Sequence, residues 1–153
     1  MIKQNDKNCM KVVQDIGCFV RTCGLVAEYK VDACLTASQI NSLWIWGKEN
    51  YYINQDNNVV NSEALINRAL TMLGGKGRFI EVGTFVGGKT NYYPAIPPKY
   101  RHIDACIQKI AQGGPSGTHF RLVDKDGGLI EDPYEPPIKP LGIFYSILYA
   151  YEE

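Results

Sequence analysis

"THFRLVDKDGGLIEDPY" (residues 118–134) contains a turn signal, Asp126-Gly127, between two short apolar runs, "HFRLV" and "LIEDP". Asp-Gly between alternating strands favours a tight hairpin, so the two runs are expected to pair antiparallel. Successive strand residues point to opposite faces, which puts His119, Arg121 and Val123 on one side and Phe120 and Leu122 on the other. His119 opens the first strand and Asp132 closes the second. In a hairpin those two ends lie side by side. A carboxylate within hydrogen-bond reach of an imidazole fixes its tautomer and stabilises its protonated form.

Outward from the hairpin, the chain divides by element type. Residues 18–30, "CFVRTCGLVAEYK", read as a mostly apolar helix buried on most sides. Thr36 and Gln39 form a T-x-x-Q capping box, with Leu35 and Ile40 at staple positions, and so predict a helix through "LTASQINSLWIW". "NYYINQDNNVV" (50–60) is polar and Asn-rich, hence loop or short hairpin. Asn61 is placed to cap a further helix, "SEALINRALTML", that Gly74-Gly75 ends. "GRFIEVGTFV" (77–86) predicts a strand, followed by a Gly- and Pro-rich connection to Pro98. In "RHIDACIQKIAQGG" the spacing of Ile103, Ile107 and Ile110 predicts a helix stopped by Gly113-Gly114. After the hairpin comes a Pro-rich loop, and "IFYSILYAYE" (143–152) alternates as a last strand. Helices first and strands later predict one α+β domain over residues 1–153 with a mainly antiparallel sheet.

The totals narrow the function classes. The chain carries 16 basic and 16 acidic side chains and no basic stripe, which argues against nucleic acid as a partner. No apolar run approaches the roughly 20 residues that span a bilayer, and "MIKQNDKNCMKVV" lacks a secretory h-region. A cytoplasmic location, with no membrane partner, is therefore expected. Five cysteines without a C-x-x-C pair suggest reduced thiols and neither a disulfide framework nor a zinc site.

A His/Asp pair has catalytic use only with a nucleophile to activate. Cys18 follows Gly17 and begins the apolar helix. A thiol at a helix N-terminus feels the positive end of the macrodipole, which favours its thiolate, and an adjacent imidazolium favours it further. Gln14, just upstream, offers a side-chain amide to an oxyanion beside the Cys18 N–H. Cys23 lies five residues on, about 140° away around the helix, so it cannot face the same site. Cys9, Cys34 and Cys106 have no catalytic context and read as structural.

A cysteine opening a buried helix, then "HF-x-x-V…G…DP" far downstream, resembles the papain-like cysteine peptidases. It is most similar to the bacteriocin-processing leader peptidases of ABC transporters and their phage-encoded relatives. The resemblance rests on Gln14 or Gln4, Cys18, His119-Phe120 and Asp132-Pro133, with "LTASQINSLW" and "IQKIAQGGP" as looser matches. It implies a papain-like fold and a thiol hydrolase that cuts a peptide, isopeptide or similar amide bond. In that role Cys18 is the nucleophile, His119 the base, Asp132 its orienting partner, and Gln4 or Gln14 the oxyanion donor. The implied partner is a peptide or a peptidoglycan peptide, and neither a metal nor an organic cofactor is implied. The chain departs from the family in having "CFV" where "CGP" is usual, while Cys23-Gly24 supplies a displaced "CG". In the relatives the Gln commonly stands about six residues before the Cys. Here Gln14 is four before it and Gln4 fourteen. The alternative is a catalytically inactive member of the fold that serves as a binding or phage-associated interaction module.

Other motifs have simpler readings. His102 in "KYRHID" is expected at the surface, and Asp124, Asp126 and Glu131 form a polar turn without the longer spacing of an EF-hand. "GTFVGGKT" fits a phosphate-loop pattern, but the prolines of "NYYPAIPP" forbid the helix such a loop requires.

Overall fold

Thr36 and Gln39 form the expected reciprocal cap. The Gln39 N–H donates to Thr36 Oγ1 (3.1 Å), and the Thr36 N–H donates to Gln39 Oε1 (2.9 Å). The computed structural model, which describes residues 1–86, 102–112 and 117–153, starts helix α3 (Ala37–Glu49) there. Leu35 and Ile40 are both buried beside the cap. Asn61 Oδ1 accepts the Ala64 N–H (3.0 Å) and opens α4 (Ser62–Met72). That helix ends where Gly74 turns left-handed (φ 73°), and Gly75 N–H donates to the Leu70 carbonyl (2.9 Å). This is a Schellman stop.

Helix α2 (Cys18–Val31) is buried without interruption from Val20 to Glu28. Its apolar character is broken by Arg21 and Glu28, which pair with each other inside the core. Arg21 Nε also donates to the carbonyl of Ile2 (2.7 Å), so the N-terminal segment is tied across this helix. A short helix, α1 (Lys11–Ile16), precedes it and was not expected from the sequence. Gly17 joins the two: its N–H donates to the Val13 carbonyl (2.8 Å), and its own carbonyl accepts the Arg21 N–H (2.8 Å). A Cβ at position 17 would lie 2.5 Å from Val13 O and 2.7 Å from Val13 Cα, so only glycine lets α1 pass this close.

Five strands form one sheet, in the order β1-β5-β2-β3-β4, and every neighbouring pair is antiparallel. They are β1 (Arg78–Val86), β2 (Ala105–Ala111), β3 (Thr118–Val123), β4 (Leu129–Glu131) and β5 (Gly142–Glu152). The domain is thus α+β, as expected, with helices packed on an antiparallel sheet. The segment expected as a helix around Ile103, Ile107 and Ile110 is instead strand β2, between β5 and β3. A strand covered on both faces is apolar almost throughout, and such a run carries no period that distinguishes it from a buried helix. Ile107 joins the main core with Leu122, and Cys106 forms a second cluster with Val123 and Leu148.

The hairpin pairs as expected, but its turn is wider than two residues. Asp124 N–H donates to the Gly128 carbonyl (2.8 Å), and Asp124 Oδ1 accepts the N–H groups of Asp126 (2.8 Å) and Gly128 (2.9 Å). The "DKDGG" carboxylate therefore closes the turn itself. Residues 50–60 form a small loop closed by an Ile53–Val59 bridge. His102 is exposed, ahead of a strand and not at a helix start. The Gly- and Pro-rich connection, including nearly all of "VGGKT", lies outside the described residues.

Candidate functional site

His119 is the second residue of β3, paired with Ile110 of β2, and its side chain is 3% exposed. Its Nε2 lies 2.7 Å from Asp132 Oδ1. Asp132 follows β4 directly and is held by the loop after it: Oδ1 accepts the Tyr134 N–H (2.8 Å) and Oδ2 the Ile138 N–H (3.0 Å). Burial alone would raise the Asp132 carboxyl, but bonds from His119, Tyr134 and Ile138 outweigh it and hold the group below its ordinary range. Burial likewise opposes charge on His119. Asp132 and then the Cys18 side chain overcome that, and the imidazole rises to about 9. The ring is protonated at neutral pH. Because Nε2 engages the carboxylate, Nδ1 is the ring nitrogen left for the thiol.

Cys18 is half-buried at the first position of α2, where its N–H is among those a helix leaves without an intrahelical acceptor. It opens onto a cavity of about 710 Å³ that Gln4, Phe19, His119, Phe120 and Tyr134 also line. Tyr134 meets the His119 ring edge-on, with centroids 6.5 Å apart. Phe19 stacks on Phe120 at 4.0 Å, which pins the start of α2 against the strand that carries the histidine.

The fold gives the two glutamine side chains different surroundings. Gln4 is buried on the cavity wall; its N–H donates to the Pro133 carbonyl (2.7 Å), and its side-chain Oε1 has no partner. Gln14 does not reach the cavity, which corrects its expected role as oxyanion donor. It lies within α1, and its side-chain amide is spent on the Cys9 carbonyl (2.7 Å). Its backbone carbonyl instead accepts Gln4 Nε2 (3.2 Å) and so helps to orient the other glutamine.

What sequence reasoning missed is the clamp that brings residues 2–5 to the site. Lys3 Nζ donates to Glu131 Oε1 (2.7 Å) and to the Asp132 carbonyl (2.7 Å). Asn5 exchanges two hydrogen bonds with the backbone of Glu135. These partners stand 128–130 residues apart in sequence, and no local pattern announces them.

The remaining cysteines are clearly distinguished. Cys23, of the displaced "CG", is fully buried, and burial pushes its thiol far up. Burial also pushes Cys106 up to about 12 and raises Cys9. Cys34 is exposed and free. Among the described residues no group of three or more His, Cys, Asp or Glu side chains is placed to hold a metal ion. Among them, too, no helix is long and apolar enough to cross a membrane. Comparison with protein-family models, curated proteins and solved structures finds no match, so the site is read from its own geometry.

Proposed function

We propose that this chain is a papain-like thiol hydrolase acting on a peptide, isopeptide or similar amide bond. The observation that carries the reading is a buried His119–Asp132 pair, 2.7 Å apart, whose histidine lines one cavity with a cysteine at a helix start. Cys18 Sγ attacks the carbonyl carbon as a thiolate paired with the His119 imidazolium. The C=O bond opens to an oxyanion, for which the Cys18 N–H and the Gln4 side-chain amide are the donors. His119 Nδ1 then gives its proton to the leaving nitrogen, the C–N bond breaks, and a thioester remains. Water, deprotonated by the now neutral His119, attacks that thioester; the C–S bond breaks, the acid leaves, and the thiolate–imidazolium pair is restored. Asp132 stays ionised throughout and holds the ring in place.

Site-resolved alkylation tests this reading, with exposed Cys34 as an internal reference. At about pH 6, well below the range of an ordinary thiol, iodoacetamide is expected to label Cys18 faster than Cys34. His119→Ala should abolish the difference. Equal rates at the two sites in the unmodified protein would instead favour the inactive binding module.

A further inference from the structure

On the cavity that Cys18 opens onto, one wall is a row of side chains brought together by sheet register. Lys109 of β2 is paired with Phe120 of β3 on one side and Tyr145 of β5 on the other. All three line the cavity, and Phe120 carries the stacked ring of Phe19, the residue after Cys18. The Lys109 ammonium lies 5.6 Å from the Phe120 ring centre, 5.4 Å from Tyr145 and 5.7 Å from Phe144. Aromatic faces hold a cation in position without neutralising it. Among the described residues Lys109 forms no ion pair. Segments 87–101 and 113–116 contain no Asp or Glu to supply one. The described carboxylates on the cavity wall apart from this row are Asp15 and Asp56; both are exposed, and Asp15 is tied to Lys11 (2.9 Å).

We propose that Lys109 and its aromatic flank form a subsite for a substrate carboxylate close to the bond that Cys18 attacks. The assignment rests on the thiol-hydrolase reading and narrows its substrates to amides with an acidic group nearby. The ammonium supplies the counter-charge, and Phe120 and Tyr145 cover the apolar stem that carries the carboxylate. Two sources fit this chemistry: an acidic side chain, or the free carboxyl terminus of a short peptide.

Three alkylating reagents separate the possibilities: iodoacetyl-glutamate amide, iodoacetyl-glutamine with a free carboxyl terminus, and neutral iodoacetyl-glutamine amide. Each labelling rate at Cys18 is divided by the rate at Cys34. The expected result is a preference of about fivefold at Cys18 for at least one anionic reagent over the neutral one, the size of a partly exposed ion pair. The preferred reagent identifies the source. Lys109→Met should erase that preference, Lys109→Arg should keep it, and Lys109→Glu should invert it. If Lys109→Met does not fold, the same preference in the unmodified protein must fall with added salt. Equal ratios for all three reagents, or a preference that ignores both Lys109 and salt, overturn the subsite while leaving the nucleophile intact. Cys18 labelling no faster than Cys34 with every reagent overturns the nucleophile reading, and the subsite with it.

Discussion

At the residue scale, the site depends on a histidine that keeps its charge although it is buried. His119 would be driven neutral by burial alone, and Asp132 and Cys18 reverse that, raising it from 6.5 to about 9. A group whose folded pKa is raised stabilises the fold fully below its unfolded value, and the contribution is lost as pH rises through the folded one. Here the window is between 6.5 and about 9. The span corresponds to an order of about 3 kcal/mol. Urea unfolding of Cys18→Ala, which has no thiol to titrate beside the ring, should therefore show stability declining with pH, over a narrower span because Asp132 alone then raises the imidazole. Asp132→Asn should flatten the decline and return the His119 ring-proton titration in NMR towards its ordinary range. An unchanged titration in Asp132→Asn would show that the carboxylate does not set the charge state. The His119–Asp132 partnership was legible in the sequence because a hairpin juxtaposes its own strand ends. The glutamine was not: Gln14 stands nearer to Cys18 in the chain, yet α1 turns its amide to Cys9, and only Gln4 reaches the cavity.

At the scale of elements, Gly17 and Thr36 make a contrasting pair. Gly17 lets α1 run into α2 with no room for a Cβ, since the nearest atoms are Val13 backbone. Backbone cannot step aside as a flexible side chain can. Gly17→Ala should therefore destabilise the fold by about 1–3 kcal/mol and slow Cys18 alkylation, because the helix start itself must move. Thr36→Ala removes the cap of α3 and should cost about 1 kcal/mol without altering the Cys18 rate. Paired urea and alkylation measurements on the two variants check this, and slowed alkylation in Thr36→Ala would show that α3 bears on the site. The caps of α3 and α4 were readable because they are made within four residues. Strand β2 was not, because Ile103, Ile107 and Ile110 have spacing that suits either element. The choice was made by β3 and β5 on its two sides.

At the scale of the whole molecule, the two ends of the site are closed by contacts between residues 3–5 and 131–135. Lys3→Met removes the ammonium that bonds both the Glu131 carboxylate and the Asp132 carbonyl. It should lower stability by about 1–3 kcal/mol and speed hydrogen exchange of the Gln4 N–H, whose acceptor is Pro133. Gln4 exchange at its original rate would show that the segment is held without Lys3. Arg21 reinforces the same closure from inside, reaching Ile2 from the buried face of α2. The sequence by itself determined α2, the capped helices α3 and α4, the hairpin, and the histidine with its carboxylate, because each is fixed by residues near one another in the chain. Only the tertiary structure decided that Gln4, Cys18, His119 and Lys109 share one cavity, and that an isoleucine-rich segment is a strand. Those outcomes depend on contacts between distant parts of the chain, whose partners no local pattern of residues can specify.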